Sequence, residues 1–223
     1  MFNTSAFATS SLGLTIFAHT FGTGPKPVLV LGGVHGDELE GVIAANALIA
    51  NLIGLAPTSE ILKQLKITVV PALNLDGVLL KQRKTFTGVD LNRNLPSKDW
   101  TTDVKEERYF PGTKPNSEPE NQALVKWLKS NRPAVIISLH SYKPMLNLNG
   151  NCDSVAKVIS EHTGYVMNRD IGYPTPGCLG TYAGIEDTMP TITYEIERGQ
   201  KADEIVKMHV PALIKALNVL TKN

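Results

Sequence analysis

Short apolar runs alternate with amphipathic stretches along this chain, and their order predicts the secondary structure. Four short runs are rich in apolar and β-branched residues, as is typical of strands, and they cover 27–31, 66–71, 134–139 and 190–196. Apolar positions at helical spacing predict helices at 38–52, 118–131, 153–162 and 202–220. This order indicates an α/β fold class, with a mixed, mostly parallel central sheet and helices on both faces.

Two stretches break the pattern because they are rich in polar residues, glycine and proline. They cover 74–116 and 171–184, and both are predicted to be mostly loop. A loop as long as the first one is usually functional in a compact domain. In parallel sheets ligands bind at the carboxyl ends of the strands, so we expect the site at that edge.

Further boundaries follow from single residues. Ser117 is a plausible N-cap for the helix at 118–131, which has Pro119 in its first turn. Pro211 lies inside the last predicted helix and is expected to kink it.

Composition narrows the class of protein. The 223 residues fit a single domain spanning 1–223, and 42% hydrophobic residues are enough for a packed core. A net charge of +1 gives no basis for a nucleic-acid partner, and no apolar stretch is long enough to span a membrane. The two cysteines form no disulfide framework and residues 1–21 contain no Lys or Arg, so we expect a cytoplasmic protein. The sequence leaves a homodimer open.

Three side chains form the candidate metal site. His35 and Glu38 follow the first buried run at a spacing that turns both to one side at a helix start. His140 follows another predicted strand, which brings it to the same edge if the two strands are parallel. Two imidazoles and one carboxylate suit Zn²⁺ and leave a position open for water. The alternative for a lone histidine at a strand end is a structural, hydrogen-bonded residue.

The other three histidines, and Asp37 between His35 and Glu38, are not interpreted as metal ligands. His19, His162 and His209 lie in a predicted strand and in predicted helices without a nearby partner. Asp37 is expected to cap the helix or to support a metal ligand.

A catalytic base is expected near the last predicted strand. A carboxylate at the end of an apolar run is costly unless it is paired or functional, and Glu195 comes first after such a run. Glu197 is the competitor, since it points to the same face two residues on. If neither is catalytic, one of them pairs with Arg198.

The segment 88–94 is the densest polar cluster of the long predicted loop. Arg93 can grip a carboxylate with its planar fork, and Asn92 can add a donor to the same group. Arg83 can polarise a carbonyl and stabilise the oxyanion that develops on it. The alternative is a solvated loop that happens to carry cations.

Five short motifs occur together in a definite order. They are HGDE at 35–38, NLDG at 74–77, GVDLNRN at 88–94, SLH at 138–140 and ITYE at 192–195. Together they resemble the zinc carboxypeptidase family of the carboxypeptidase A type. The loop at 171–180 is most similar to that of the short bacterial murein tripeptide amidases in this family, which cleave the γ-D-glutamyl–meso-diaminopimelate bond.

The resemblance implies a role for each matching residue. It implies one Zn²⁺ ion and a small peptide substrate with a free carboxylate, and it implies three zinc ligands, namely His35, Glu38 and His140. Glu195 would be the general base and acid, Arg83 would stabilise the oxyanion, and Asn92 and Arg93 would hold the substrate carboxylate. Tyr173 is the candidate for the family's mobile tyrosine, with Tyr182 as the alternative.

Two other functions remain open from the sequence. One is an N-acyl amino acid deacylase of the aspartoacylase or succinylglutamate desuccinylase type, against which the loop at 171–180 argues. The other is a non-catalytic peptide-binding protein. The segment 141–150 carries Asn147 and Asn149 but no carboxylate, although a pocket for the amino group of diaminopimelate is expected to offer an acid.

Overall fold

The computed structural model describes residues 2–222 and contains one eight-stranded sheet. The strands are β1 (Phe2–Thr9), β2 (Thr15–Phe21), β3 (Lys26–Leu31), β4 (Leu65–Val70), β5 (Val135–Tyr142), β6 (Met145–Asn149), β7 (Val166–Asn168) and β8 (Thr191–Glu197). Their order across the sheet is β1-β2-β4-β3-β5-β8-β6-β7.

The centre of the sheet is parallel and its flanks are mixed. Strands β4, β3, β5 and β8 run parallel to one another, as the four apolar runs predict. Strands β2 and β6 join this centre in the antiparallel direction, and β1 and β7 form the two outer edges. The predicted α/β class with a mixed, mostly parallel sheet is confirmed.

Six α-helices accompany the sheet in the described part of the chain. They are α1 (Leu39–Ile53), α2 (Glu60–Gln64), α3 (Leu75–Leu80), α4 (Pro119–Asn131), α5 (Asp153–Thr163) and α6 (Ala202–Leu220). Helices α1, α2, α5 and α6 contribute to the core on one face, whereas α4 and several irregular segments contribute to the core on the other face. The site lies on this second face.

Alternation along the strands decides which face each side chain joins. In β5, Val135, Ile137 and Leu139 pack under the α1 and α6 layer, whereas Ile136 packs on the opposite face. Because side chains alternate along a strand, Ser138 and His140 share the face of Ile136. One face of β5 is therefore apolar along its length, and the other turns polar where the strand approaches the site.

One predicted helix cap is wrong, whereas the last predicted helix is confirmed. Helix α4 has Glu118 rather than Ser117 at its N-cap position, because Ser117 Oγ is bonded to the side chains of Asn94 and Glu118 instead. Helix α6 has the predicted bounds, Ala202–Leu220, and contains Pro211 in its interior.

The two predicted loops contain short helices. The stretch 74–116 includes α3 and two 3₁₀ turns, at Leu91–Arg93 and Glu107–Tyr109. The loop predicted at 171–184 passes into a π-helix at Gly180–Glu186.

No helix among residues 2–222 is both long enough and apolar enough to cross a membrane.

Candidate active site

The site begins where β3 turns into α1. Gly33 has a φ of +58°, a conformation that costs little only without a side chain, and it redirects the chain after the buried strand. His35 and Glu38 follow in this turn, and both side chains are buried. Glu38 occupies the N-cap position of α1 but does not cap the helix, so its carboxylate is available for other contacts.

His140 reaches the same place from the neighbouring strand β5, which runs parallel to β3. His140 Nδ1 lies 3.2 Å from His35 Nδ1 and 3.0 Å from Glu38 Oε2, and His35 Nδ1 lies 2.9 Å from Glu38 Oε1. The three residues predicted as metal ligands therefore converge.

The donor set fits a zinc ion. In a tetrahedral site with bonds of about 2.0–2.1 Å, ligand atoms lie about 3.3 Å apart, which is close to the separations seen here. A search of residues 2–222 for three or more His, Cys, Asp or Glu side chains close enough to hold a metal ion finds this group. Two imidazole nitrogens facing each other at 3.2 Å are also an arrangement that a shared cation stabilises.

The outward nitrogen of each imidazole is bonded as metal-ligating histidines usually are. His35 Nε2 lies 3.1 Å from Asp90 Oδ1, and His140 Nε2 lies 3.0 Å from Ser138 Oγ. The backbone N–H of Ser141 donates to Glu38 Oε2 at 3.1 Å. These contacts fix the orientation of all three candidate ligands.

Asp90 also anchors Arg83. Arg83 Nε donates to Asp90 Oδ2 at 2.9 Å, and Arg83 Nη1 lies 3.3 Å from Glu38 Oε1. Burial alone would raise the pKa of Asp90, but the neighbouring His35 and Arg83 hold that pKa well below its usual range. Asp90 therefore remains a carboxylate that positions both a candidate ligand and the cation beside it.

Tyr109 lies beneath the two arginines predicted to serve catalysis and binding. The guanidinium carbons of Arg83 and Arg93 lie 5.2 Å and 5.1 Å from the centre of its ring. Such cation–π contacts hold a guanidinium in place while leaving its N–H groups available.

Arg93 and Asn92 lie in the 3₁₀ turn at Leu91–Arg93. Asn92 Oδ1 accepts the backbone N–H of Leu179 at 3.0 Å, and Arg93 Nη1 donates to the Asn92 carbonyl at 2.6 Å. Both residues line the cavity that contains the candidate metal ligands. The predicted polar cluster is thus part of the site and not a solvated loop.

Glu195 lies within β8 and pairs with His140 of β5 in the sheet register. Its side chain is buried, and Oε2 has no hydrogen-bond partner within residues 2–222. Burial raises the pKa of Glu195 to about 7, although the nearby His140 acts in the opposite direction. A carboxyl group with a pKa near neutrality suits a general base that later acts as an acid.

Tyr173, and not Tyr182, lies at the cavity. Tyr173 lines it and is 42% exposed. Tyr182 is buried in the core on the same face of the sheet.

The cavity has a volume of about 880 Å³ and brings all eight predicted site residues together. They are His35, Glu38, Arg83, Asn92, Arg93, His140, Tyr173 and Glu195. A space of this size accommodates a small peptide.

Two of the alternatives that the sequence left open, a glutamate partner for Arg198 and an N-cap role for Asp37, are not seen in the structure. Arg198 pairs with Asp37 rather than with either glutamate, since its Nη2 lies 2.9 Å from Asp37 Oδ2. Asp37 accordingly forms an ion pair with Arg198 beside the site. It does not cap α1, whose N-cap position is occupied by Glu38.

The remaining histidines have structural partners. His209 is buried between Tyr194 and Gln200, with Nδ1 lying 2.6 Å from the Tyr194 hydroxyl oxygen. His19 contacts Thr4, and His162 contacts Lys215.

Sequence reasoning missed Asp90, Tyr109 and Ser138 as parts of the site. Asp90 and Ser138 belong to the motifs at 88–94 and 138–140, so their motifs offered a signal. Tyr109 had none, because only the folded loop places its ring under two arginines.

Comparison with known proteins identifies the family. Residues 5–183 match the zinc carboxypeptidase family, and the chain therefore belongs to this family of hydrolases. The matched range includes the three candidate metal ligands and ends before Glu195. Family membership also implies zinc as the metal of the site.

Individual relatives are similar over most of the chain. Murein peptide amidase A of Vibrio campbellii is 29% identical over 85% of this chain and 76% of its own length. The crystal structure of murein-tripeptide amidase MpaA from Escherichia coli O157 has a TM-score of 0.79 and 27% identity, covering 98% of this chain and 92% of its own. Bovine thrombin-activatable fibrinolysis inhibitor shares the fold, with a TM-score of 0.85 and 19% identity over 100% of this chain and 91% of its own.

Proposed function

We propose that this protein is a zinc-dependent amidase that cleaves the γ-D-glutamyl–meso-diaminopimelate bond of murein peptides. The observation that carries the proposal is the convergence of His35, Glu38 and His140 in one cavity with Glu195, whose Oε2 has no hydrogen-bond partner within residues 2–222. The similarity to murein peptide amidases over most of the chain supports the choice of substrate.

The metal would be one Zn²⁺ held by His35, Glu38 and His140. A zinc ion in such a site lowers the pKa of a bound water and polarises the scissile carbonyl. Asp90 and Ser138 keep the two imidazoles oriented for ligation through Nδ1.

Glu195 takes a proton from the attacking water and later gives it to the leaving nitrogen. Its raised pKa makes both transfers feasible near neutral pH. Arg83, held by Asp90 and by the ring of Tyr109, donates hydrogen bonds to the oxygen of the attacked carbonyl as negative charge develops there.

Arg93 and Asn92 bind the free carboxylate next to the scissile amide. This contact orients the substrate, so that binding energy is used for positioning. Tyr173, which lines the same cavity, covers the bound substrate and shields it from water.

The decisive experiment is product analysis by mass spectrometry with murein tripeptide, L-Ala-γ-D-Glu-meso-diaminopimelate, as substrate. We expect release of diaminopimelate, loss of turnover with a chelator and recovery on adding Zn²⁺. Glu195→Gln should lower the rate by about 10²–10⁴-fold while zinc remains bound.

Acetyl-aspartate and succinyl-glutamate belong in the same assay, because they test the deacylase alternative. Turnover of either one without turnover of the tripeptide would refute the proposed substrate. Near-normal activity of zinc-loaded Glu195→Gln would refute the proposed role of Glu195.

We also place the protein in the cytoplasm. Cys152 and Cys178 are both buried and unpaired, as expected where thiols stay reduced.

A further inference from the structure

The guanidinium of Arg93 makes few contacts of its own within the protein. The residue is buried, and its Nη1 donates to the carbonyl of the adjacent Asn92 at 2.6 Å. The ring of Tyr109 lies 5.1 Å from the guanidinium carbon. No carboxylate in the range 2–222 forms an ion pair with Arg93, since the nearby Asp90 pairs with other groups. The location of this cation therefore depends largely on the backbone of the 3₁₀ turn from which it projects.

Asn94 follows this turn directly, and its buried side chain fastens the turn to the segment that leads into α4. Its Nδ2 lies 2.7 Å from the carbonyl oxygen of Pro111 and 3.1 Å from that of Lys114. The same nitrogen lies 2.9 Å from Ser117 Oγ. Its Oδ1 accepts the backbone N–H of Glu118 at 3.3 Å. One amide group thus connects the turn with four residues that lie far along the chain.

Asn121 makes a second connection, from the body of helix α4. Its Nδ2 donates to the backbone carbonyl of Leu91 at 2.9 Å and lies 3.3 Å from Asn94 Oδ1. Helix α4 is itself anchored in the core by Leu124 and Leu128. The asparagine therefore ties the turn to an element whose position is fixed by packing.

The two asparagines lie behind the cavity and do not line it. They can affect a substrate only through the turn that they support. Without the amide of Asn121, the carbonyl of Leu91 would keep only the backbone N–H of Asn94, at 3.3 Å. A buried carbonyl with so little compensation favours movement of the turn. A displacement of about 1 Å in a positioning group can cost about 100-fold in rate.

We propose that Asn94 and Asn121 are positioning residues, which hold the turn at Leu91–Arg93 so that Arg93 meets the free carboxylate of the substrate. The proposal rests on the proposed function, because that function assigns the carboxylate to Arg93. Neither asparagine is hydrogen-bonded to a candidate metal ligand or to Glu195. Loss of this support should therefore weaken the binding of substrate more than it slows the chemical step.

The test measures KM and kcat of zinc-loaded Asn121→Leu with murein tripeptide. Leucine is similar in size to asparagine and removes both hydrogen bonds. KM should rise at least about tenfold and kcat should fall less than about threefold, since the carboxylate is already bound before the chemical step. A tripeptide whose diaminopimelate α-carboxylate is converted to a carboxamide is the matched substrate. For this peptide, kcat/KM of the wild-type protein and of Asn121→Leu should agree within about twofold.

A double-mutant cycle tests whether Asn121 acts through Arg93. In an Arg93→Gln background, Asn121→Leu should change kcat/KM by less than about twofold, because the positioned guanidinium is gone. Asn131→Leu is the matched control at the other end of α4, where Asn131 Nδ2 donates to the Trp127 carbonyl at 2.9 Å. This control should retain the KM of the wild-type protein.

Circular dichroism and zinc content identify the variants that are folded and loaded. If Asn121→Leu does not fold, Asn121→Ser takes its place, because it also removes the amide and fills less space. A folded, zinc-loaded variant with the KM of the wild-type protein would overturn the proposal. Equal losses with the carboxamide peptide, or in the Arg93→Gln background, would also overturn it while leaving the proposed function intact. If the zinc-loaded wild-type protein does not cleave the tripeptide, the proposed function fails and this inference fails with it.

Discussion

Buried carboxylates in this protein differ in what surrounds them, and their chemistry differs accordingly. Asp90 faces His35 and Arg83, which keep it ionised. Glu120 is also fully buried, but Oε2 has no partner within residues 2–222, and Oε1 accepts the N–H of Ser11 at 3.2 Å. Burial raises the pKa of Glu120 to about 7.

Glu120 should make the protein less stable as the pH rises. A carboxyl group whose pKa is about 7 in the folded state, above its unfolded value of 4.5, binds its proton more tightly when folded. Its stabilising effect is therefore present below pH 4.5 and is lost as the pH rises through 7. Glu120→Gln should raise the free energy of unfolding at pH 8 by on the order of 2 kcal/mol and have little effect at pH 4.5.

Urea unfolding at a series of pH values measures this difference. Glu161→Gln, at an exposed glutamate of α5, is the matched control and should show no comparable change. A stability difference for Glu120→Gln that does not vary with pH would contradict the explanation.

The sequence predicts the identities of most residues at this candidate site. The three candidate ligands, the base and the arginines follow from residue type, motif order and position after apolar runs. Asp90 and Tyr109 could not be assigned in the same way, since their importance arises from contacts made across long stretches of chain.

The elements differ in how clearly the sequence predicts them. Strands β3, β4, β5 and β8 are largely buried near the centre of the sheet, and their apolar residues predict them directly. Strand β1 is mostly exposed and β6 has only five residues, two of them asparagines, so neither forms a continuous apolar run. Pairing with a neighbour, and not local sequence, makes these segments strands.

Helix α1 packs unusually close to β5, and the closeness depends on Gly41. A Cβ atom at Gly41 would lie 2.5 Å from the carbonyl oxygen of Leu139. Gly41 follows Glu38 by three residues, and Leu139 precedes His140. This contact therefore sets the distance between two candidate metal ligands.

Gly41→Ala should weaken both the fold and metal binding. In most helices the change stabilises by up to about 1 kcal/mol, but here the methyl group should destabilise by about 1–3 kcal/mol because α1 must move away from β5. We expect the zinc affinity to fall at least about tenfold, because removing a residue that orients a metal ligand typically has an effect of this size. Chemical denaturation and competition with a chromogenic chelator measure the two effects.

Gly54→Ala provides the matched control on the same helix. A Cβ atom there meets nothing closer than 3.4 Å, so zinc affinity should not change. If Gly41→Ala binds zinc like the wild-type protein, the proposed link between packing and ligand geometry is wrong.

At the scale of the whole molecule, the site depends on segments far apart in the chain. His35, Asp90, His140 and Glu195 lie in four separate regions of the chain, which the sheet and the loop at 74–116 bring together. Because β3, β5 and β8 run parallel, as predicted, their carboxyl ends lie at the same edge of the sheet. The register that pairs His140 with Glu195 could not be predicted, because it depends on packing along whole strands.

Metal binding should therefore stabilise the whole fold. A ligand that binds only the folded state adds about 4 kcal/mol at a concentration 1,000 times its Kd, which corresponds to a rise in Tm of about 10 °C for a chain of this size. Scanning calorimetry with chelator and with added Zn²⁺ measures the shift.

Variants with altered histidines test the origin of the shift. His35→Ala should abolish the response of Tm to zinc, whereas His162→Ala, at a histidine of α5 outside the site, should retain it. An equal zinc response in both variants would exclude the proposed metal site as its source.

The alignment of β5 with β8 limits how this scaffold can be redesigned. His140 and Glu195 lie directly across one ladder, and successive side chains of a strand project to opposite faces. Inserting or deleting one residue within β8 before Glu195 would turn the carboxylate toward the helices α1 and α6. Protein engineers can therefore lengthen, shorten or exchange the surface connections, but residue counts inside these two strands must be preserved.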